Sequence, residues 1–267
     1  MFRLASWNVN SLKVRLDQVL EWFDASDIDV LAMQETKLLD ENFPVRAFAD
    51  KGLHIVYAGQ KTYNGVAIVS RHPHTDVIKD IPAFDDPQRR VLAVTVGDIR
   101  LINLYVPNGA ELVSDKYQYK LSWLKNVHSF IQNELSLHPK VAVVGDFNIA
   151  PEDRDVHDPI EWEGCVQVSL PERQAFTDLL ELGLHDSFRN FTQEEKLFSW
   201  WDYRAAGFRR NRGLRIDHIL LNHELNMRCR HSTIDKEPRK AERPSDHAPV
   251  WVDLELPHAG ELCLKRP

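Results

Sequence analysis

The chain has 267 residues, 43% hydrophobic and 27% charged, which excludes collagen-like, low-complexity and wholly disordered chains and supplies a core that needs no disulfide or structural metal. Its 33 Lys and Arg against 40 Asp and Glu give a formal charge of −7; this excludes a protein that coats nucleic acid by bulk charge, but not an enzyme that gathers carboxylates around a metal and places cations at its rim. Cys165, Cys229 and Cys263 are odd in number and stand at no zinc-finger or Cys-x-x-Cys spacing, so a disulfide framework is excluded and a reducing compartment is expected.

Met1-Phe2-Arg3-Leu4 leads directly into a strand over 4–9, so no signal peptide is expected. No uncharged apolar run approaches the roughly 18–20 residues of a membrane span. A helix over 11–25 follows, with Leu12, Leu16, Val19, Leu20 and Phe23 on one stripe and Ser11 as its N-cap. Strands are predicted over 29–34, 54–57, 66–70, 91–96 and 100–106, as β-branched or apolar runs bounded by turn residues. A long helix over 115–137 repeats Leu121, Leu124, Val127, Phe130, Ile131 and Leu135 at spacings of three and four. A strand over 141–146 leads into an irregular surface loop over 150–163. A helix over 171–182 opens on Pro-Glu and closes at Gly183, and strands over 214–221 and 249–256 complete the series.

The order mixes hairpin-like strand pairs with single helices. It predicts an α/β fold of four layers, two packed mixed sheets with helices outside, rather than a Rossmann sheet or a barrel. Leu4 to Asn10 is an apolar strand ending in Asn-x-Asn, and Val141 to Asn148 is one ending in Asp-x-Asn. That echo points to two pseudo-symmetric halves facing a shared site, inside one domain over 1–257 with a tail over 258–267. No Gly-, Ser- or Pro-rich linker divides them.

Acidic residues recur at strand ends: Glu35 after 29–34, Asp146 and Asn148 after 141–146, Asp246 before the last strand. Each alone reads as a capping or surface group. Gathered at one set of strand mouths, such oxygen donors suit a hard cation such as Mg²⁺ or Mn²⁺ rather than zinc. Asp217 stands in a segment otherwise apolar enough to be buried, where a carboxylate needs a partner. His247, in the tight turn Ser245-Asp246-His247-Ala248-Pro249, is the candidate; a buried Asp would fix its tautomer and support its charge.

These residues also carry a family resemblance. Trp7-Asn8-Val9-Asn10, Gln34-Glu35-Thr36-Lys37, Tyr105-Val106-Pro107-Asn108-Gly109, Gly145-Asp146-Phe147-Asn148, Trp200-Trp201-Asp202-Tyr203, Gly213-Leu214-Arg215-Ile216-Asp217 and Ser245-Asp246-His247-Ala248-Pro249 stand in the order of the exonuclease III family. That family of Mg²⁺-dependent apurinic/apyrimidinic endonucleases lies within the endonuclease/exonuclease/phosphatase superfamily. The likeness runs from about Phe2 to Leu256. Gly-Asp-x-Asn and Ser-Asp-His are shared across the superfamily, whereas Trp-Trp-Asp-Tyr and Gly-Leu-Arg-Ile-Asp tilt it to the DNA-repair branch.

The resemblance implies a DNase I-like fold and roles position by position. Glu35 is the expected principal Mg²⁺ ligand (Mn²⁺ could substitute), with Asn8, Asp146, Asn148 and Asp246 at or near the metal. Asp146 is expected to activate the attacking water or serve the leaving group. Asn148 would orient Asp146 and contact the phosphate, Tyr105 would flank it, and Asp217 would hold His247 against a phosphate oxygen. Lys37, Tyr63, Asn64, Arg90, Asn108, Arg209, Arg210 and Arg212, with Arg215 and Arg89, are the expected cationic or polar rim. Trp200, Leu214 and Ile216 would line a pocket for a sugar without its base, the last two on one strand face. The expected partner is double-stranded DNA with abasic sites or 3′ ends, met by a monomer in a bacterial cytoplasm, with no membrane.

Two other readings stay open. A superfamily phosphoesterase acting on RNA, an inositol phosphate or a lipid would keep Glu35, Asp146, Asn148, Asp217 and His247 but lack the apolar pocket and arginine loop. A non-catalytic DNA-binding module would have lost a metal ligand or His247. The loop over 150–169 departs from the family pattern and could shift the balance between abasic-site incision and 3′-end trimming.

Overall fold

In a computed structural model, which describes residues 1–191 and 195–256, two six-stranded mixed sheets stack face to face with helices on both outer sides. Cys263 and the 258–267 tail lie outside the described residues, and Cys165 and Cys229 are free thiols. The first sheet is built from β1 (Phe2–Asn8), β2 (Val30–Gln34), β3 (His54–Ala58), β4 (Val66–Ser70), β13 (Cys229–Ile234) and β14 (Val250–Leu254), in the order β13-β14-β1-β2-β4-β3. The second holds β5 (His74–Lys79), β6 (Val91–Val96), β7 (Ile99–Tyr105), β8 (Val141–Asp146), β9 (Leu184–Asp186) and β12 (Asp217–Asn222), in the order β5-β6-β7-β8-β12-β9. A two-stranded ribbon of β10 (Trp200–Trp201) and β11 (Gly213–Leu214) stands beside them.

Each large sheet contains one parallel pair, β1 with β2 and β7 with β8, and the other pairs are antiparallel. A parallel pair needs a crossover, supplied by α1 (Leu12–Ala25) in one sheet and α3 (Asp115–Leu137) in the other. The shorter helices are α2 (Val45–Ala49), α4 (Leu170–Glu181) and α5 (His223–Asn226).

Central strands are apolar on both faces, and alternation sorts their side chains. Leu4, Val30, Ala32, Ile68, Ala142 and Val144 point between the sheets. Ala5, Leu31 and Met33 point out under Val19 and Phe23 of α1, while Val141 and Val143 point out under Trp123, Val127 and Phe130 of α3. The four layers expected from element order are therefore present. β8 lies close against β7 because Gly145 has φ 145° and a Cβ there would meet the Leu104 carbonyl oxygen at 1.9 Å.

Several expectations need correcting. The segment 214–221 is two strands, β11 and β12, with Arg215 and Ile216 in the break. Leu214 and Ile216 still meet in one buried cluster with Ala150 and Val156. Ser11 stands at the N-cap of α1 but its side chain caps nothing; the Glu35 and Thr36 carbonyls accept the N–H groups of Ser11 and Leu12 at 2.7 and 3.1 Å. Arg215 is not on any rim. It is buried, with Nε 2.6 Å from Asp155 Oδ1 and Nη2 2.8 Å from Asp186 Oδ2.

His218 completes that buried network. Its Nδ1 lies 3.1 Å from Arg215 Nη1 and its Nε2 lies 2.9 Å from the Ile149 carbonyl, so the neutral ring is fully used. Burial, reinforced by the Arg215 charge, pushes its pKa down to about 4. The unfolded chain therefore binds the proton more readily. Stability from this group is complete above about pH 6.5 and is lost as pH falls toward 4, on the order of 3 kcal/mol. His218→Gln, measured by urea unfolding across that range, is expected to flatten the pH dependence; an unchanged slope would contradict it.

Candidate active site

The C-terminal ends of β1, β2 and β8 open at the same end of the stacked sheets. Asn8 is the last residue of β1, Glu35 follows β2, and Asp146 ends β8. The backbone turns sharply at this mouth. Asn10, Glu35, Lys37, Asn64 and Asn148 all have positive φ, between 42° and 55°. For a glutamate or lysine that conformation is uncommon and mildly strained, and such residues concentrate at functional sites.

One amide joins the two sheets at the mouth. Asn8 Nδ2 donates to Glu35 Oε1 at 2.8 Å and to Asp146 Oδ2 at 2.9 Å. Its own Oδ1 accepts from the Asn10 N–H at 3.0 Å, which sets the orientation. Asp146 Oδ1 accepts from the Asn148 N–H at 2.9 Å, and the Asn148 amide also reaches Oδ2 at 3.3 Å. Asn148 itself is held by Val106, Asn108 and Gln167, at 2.9, 3.2 and 2.8 Å.

His247 approaches from the turn before β14. Its Nδ1 is 2.9 Å from Asp217 Oδ2, and its Nε2 is 3.8 Å from Asp146 Oδ2. The turn is fixed through Ser245, whose hydroxyl donates to the Asn8 carbonyl at 2.7 Å and accepts from the His247 N–H at 3.2 Å. Trp7 Nε1 donates to the His247 carbonyl at 3.2 Å. Asp217 is placed by Ser199, whose hydroxyl accepts its N–H at 3.0 Å.

The charges respond to this crowding. Burial would depress His247, but the Asp217 and Asp146 carboxylates outweigh it and push the imidazole up to about 10. Asp146 is pushed up to about 7 by burial and by the Asp217 and Glu35 carboxylates, against the pull of His247 and Asn8. Glu35 goes the other way: burial would raise it, but Lys37, 2.9 Å from its Oε2, and the Asn8 amide hold it below the ordinary carboxylate value. Tyr105 is raised well above its usual value by burial and by Glu35, so it stays a protonated donor.

Glu35, Asp146 and His247 bring ligand-capable atoms within 4.8 Å of one another. The nearest cations to Glu35, Asp146 and Asp217 among the described residues are Lys37 and the His247 ring, with Lys120 acting on Asp146 from behind. Asp146 relieves the excess by favouring a proton, and a divalent cation would relieve it instead. The donor set is oxygen-rich, and an imidazolium is no ligand, so the residues fit a hard cation held between Glu35 and Asp146. Asp246 turns elsewhere: its carboxylate accepts from Asn10 at 2.8 Å and Trp200 at 3.0 Å.

Around this centre the rim residues separate. Tyr63, Asn64, Arg90, Tyr105 and Asn108 line a cleft of about 540 Å³ beside Tyr105. Arg90 is buried, with its guanidinium 4.6 Å from the Tyr105 ring centroid. Arg209 and Arg210 are exposed, whereas Arg212 pairs with Glu161. Lys37 lies against Glu35 and Asn10. Leu214 and Ile216 are buried, with Trp200 and Trp162 packed at their edge. Sequence reasoning missed Lys120, Glu172 and Gln167, which stand directly behind Asn148; a lysine on the buried stripe of the long helix was the available signal.

Asp217→Asn is expected to lower the His247 pKa from about 10 toward the ordinary range, followed by ring NMR resonances in chelator. An unmoved titration would remove Asp217 as the cause.

Residues 5–247 match the Endonuclease/Exonuclease/phosphatase family. The exodeoxyribonuclease III of Haemophilus influenzae is 34% identical over 266 residues, covering 94% of this chain and 99% of that protein. Among solved structures, the 3′ phosphatase NExo from Neisseria, bound to a product DNA hairpin, superposes with a TM-score of 0.94 at 46% identity, covering 96% of this chain and all of that one. An AP endonuclease from Archaeoglobus fulgidus superposes with a TM-score of 0.92 at 36% identity over the same shares.

Proposed function

The chain belongs to the endonuclease/exonuclease/phosphatase family, in its exonuclease III branch, and we propose that it is a DNA-repair nuclease that hydrolyses phosphodiesters of duplex DNA with Mg²⁺. Its substrates are blocked or normal 3′ ends and the bond 5′ to abasic sites. The observation that carries this reading is the cluster of Glu35, Asp146 and His247, with His247 charged by Asp217 at the seam of two sheets. No helix among the described residues is long and apolar enough to cross a membrane. A monomer acting in a bacterial cytoplasm fits the same reading.

The residues divide the work. His247 offers a cationic Nε2–H to a phosphate oxygen, because its other nitrogen is committed to Asp217. Asp146, held by Asn8 and Asn148 at the mouth of the site, can take a proton from the attacking water and return one to the leaving oxygen. Asn148, with its amide spent on Val106 and Asp146, holds that carboxylate in line. Tyr105 donates from beside the scissile group. The cation, held by Glu35 and Asp146, would supply Lewis-acid charge at the phosphoryl oxygen. Lys37, Arg90, Arg209 and Arg210 with Tyr63, Asn64 and Asn108 steer the backbone toward the cleft, while Arg212 is held by Glu161. Trp200, Leu214 and Ile216 receive a sugar that has lost its base. The 1–257 segment then acts as one domain, its two halves supplying Glu35 from one sheet and Asp146 from the other.

Two labelled duplexes test this, one with an abasic-site analogue and one with a nick whose 3′ end is blocked through a phosphodiester. Both are expected to be cleaved with Mg²⁺ and spared with chelator, and Glu35→Ala is expected to lose about 10³-fold in rate while keeping its fold. Release of the 3′ block without incision would retain the nuclease and reject the abasic substrate. Cleavage of neither would reject the nuclease itself.

A further inference from the structure

Behind the site lies an ion pair that the chemistry above does not use. Lys120, on the inner face of α3, and Glu172, in the first turn of α4, are both fully buried. The Lys120 ammonium has three donors and finds three acceptors: the Glu172 carboxylate, the Asn148 carbonyl at 2.7 Å and the Asn108 carbonyl at 3.2 Å. The two carbonyls belong to different loops, one following β7 and one following β8.

Glu172 is equally committed. Its Oε1 accepts the Gln167 N–H at 2.9 Å, and its Oε2 accepts the Ser169 N–H and hydroxyl at 3.1 and 2.5 Å. Gln167, so fixed, donates through Nε2 to Asn148 Oδ1 at 2.8 Å, where Asn108 Nδ2 also donates at 3.2 Å. Asn148 and Gln167 have φ 49° and 75°, conformations that need holding. The pair therefore grips Asn148 by backbone and side chain, and Asn148 grips Asp146.

Burying two charges is expensive, and a well-packed apolar pair of similar volume is often as stable or more so. Stability alone does not account for an ammonium that spends two of its bonds on loop carbonyls beside the site. We propose that Lys120 and Glu172 are positioning residues for phosphodiester cleavage, locking Asn108, Asn148 and Gln167 so that Asp146 stays in line with the scissile phosphate. This rests on the nuclease reading.

The test compares Lys120→Met, Glu172→Gln and their combination for thermal midpoint, kcat and KM on the duplex whose 3′ end is blocked through a phosphodiester. Each single variant leaves a buried group unpaired and is expected to melt lower. The double variant removes both charges and is expected to recover most of the midpoint. Its kcat is expected to stay about 10²-fold down with KM little changed, since small misplacements of reacting groups cost rates of that size. Lys120→Arg keeps the charge pairing but its planar fork cannot make the three-way contact, so kcat is again expected to fall with the midpoint held. Wild-type kcat in the folded double variant, or in Lys120→Arg should the double not fold, would overturn the proposal. A wild-type protein that cleaves nothing would instead reject the nuclease reading on which it stands.

Discussion

The site depends on the Asn8 amide. One NH₂ group, at the end of a strand in the first sheet, donates to a carboxylate of its own sheet and to one of the other. Half-buried Glu35 and buried Asp146 could not sit at that separation without a donor between them, because two carboxylates in a low-dielectric seam repel and lose hydration together. The amide neutralises no charge. It sets a distance, and leaves the remaining imbalance for Lys37, His247 and a metal.

Fixing that distance requires the sheets to keep a constant offset. Apolar packing between them is non-directional and permits sliding. A buried polar patch near the same end supplies direction. Gln34 Nε2 bonds Ser6 within the first sheet and Asn103 of the second, and Asn103 Nδ2 bonds the Met33 and Ala67 carbonyls back in the first. A shift of one residue would strand several buried groups, each costing about 1–3 kcal/mol. The seam is thus registered just below the residues that use it.

The sequence shows the layers clearly, because apolar runs at period two and stripes at three and four are local properties. It also shows Glu35, Asp146, Asp217 and His247, since each is a polar residue at the end of, or inside, an apolar run. The structure brings those four together. Short edge strands such as β5 and β9 were missed because their mixed residues carry no pattern alone; neighbouring strands define them. Arg215 was misplaced on the rim for a related reason. An arginine among other arginines reads as exposed until Asp155 and Asp186, 60 and 29 positions away in the chain, arrive to pair with it. Lys120 carries a local sign, a lysine on the buried stripe of the long helix, but its partner Glu172 does not, since residues distant in sequence decide whether that charge is buried.

Arg215 also changes the standing of the loop over 150–169. That loop reads as a surface excursion, yet Asp155 anchors it from beneath through Arg215, and Val156 bridges to Leu214. Trp162 packs edge-on against Trp200 with ring centroids 6.4 Å apart. Its far end is tied down by Gln167, whose carbonyl accepts the Ala150 N–H at 2.7 Å. A segment pinned at both ends and in the middle is a wall. It covers Leu214 and Ile216, leaving Trp200 as their half-open edge. Whatever enters beside Trp200 must therefore displace Trp162 or fit against it.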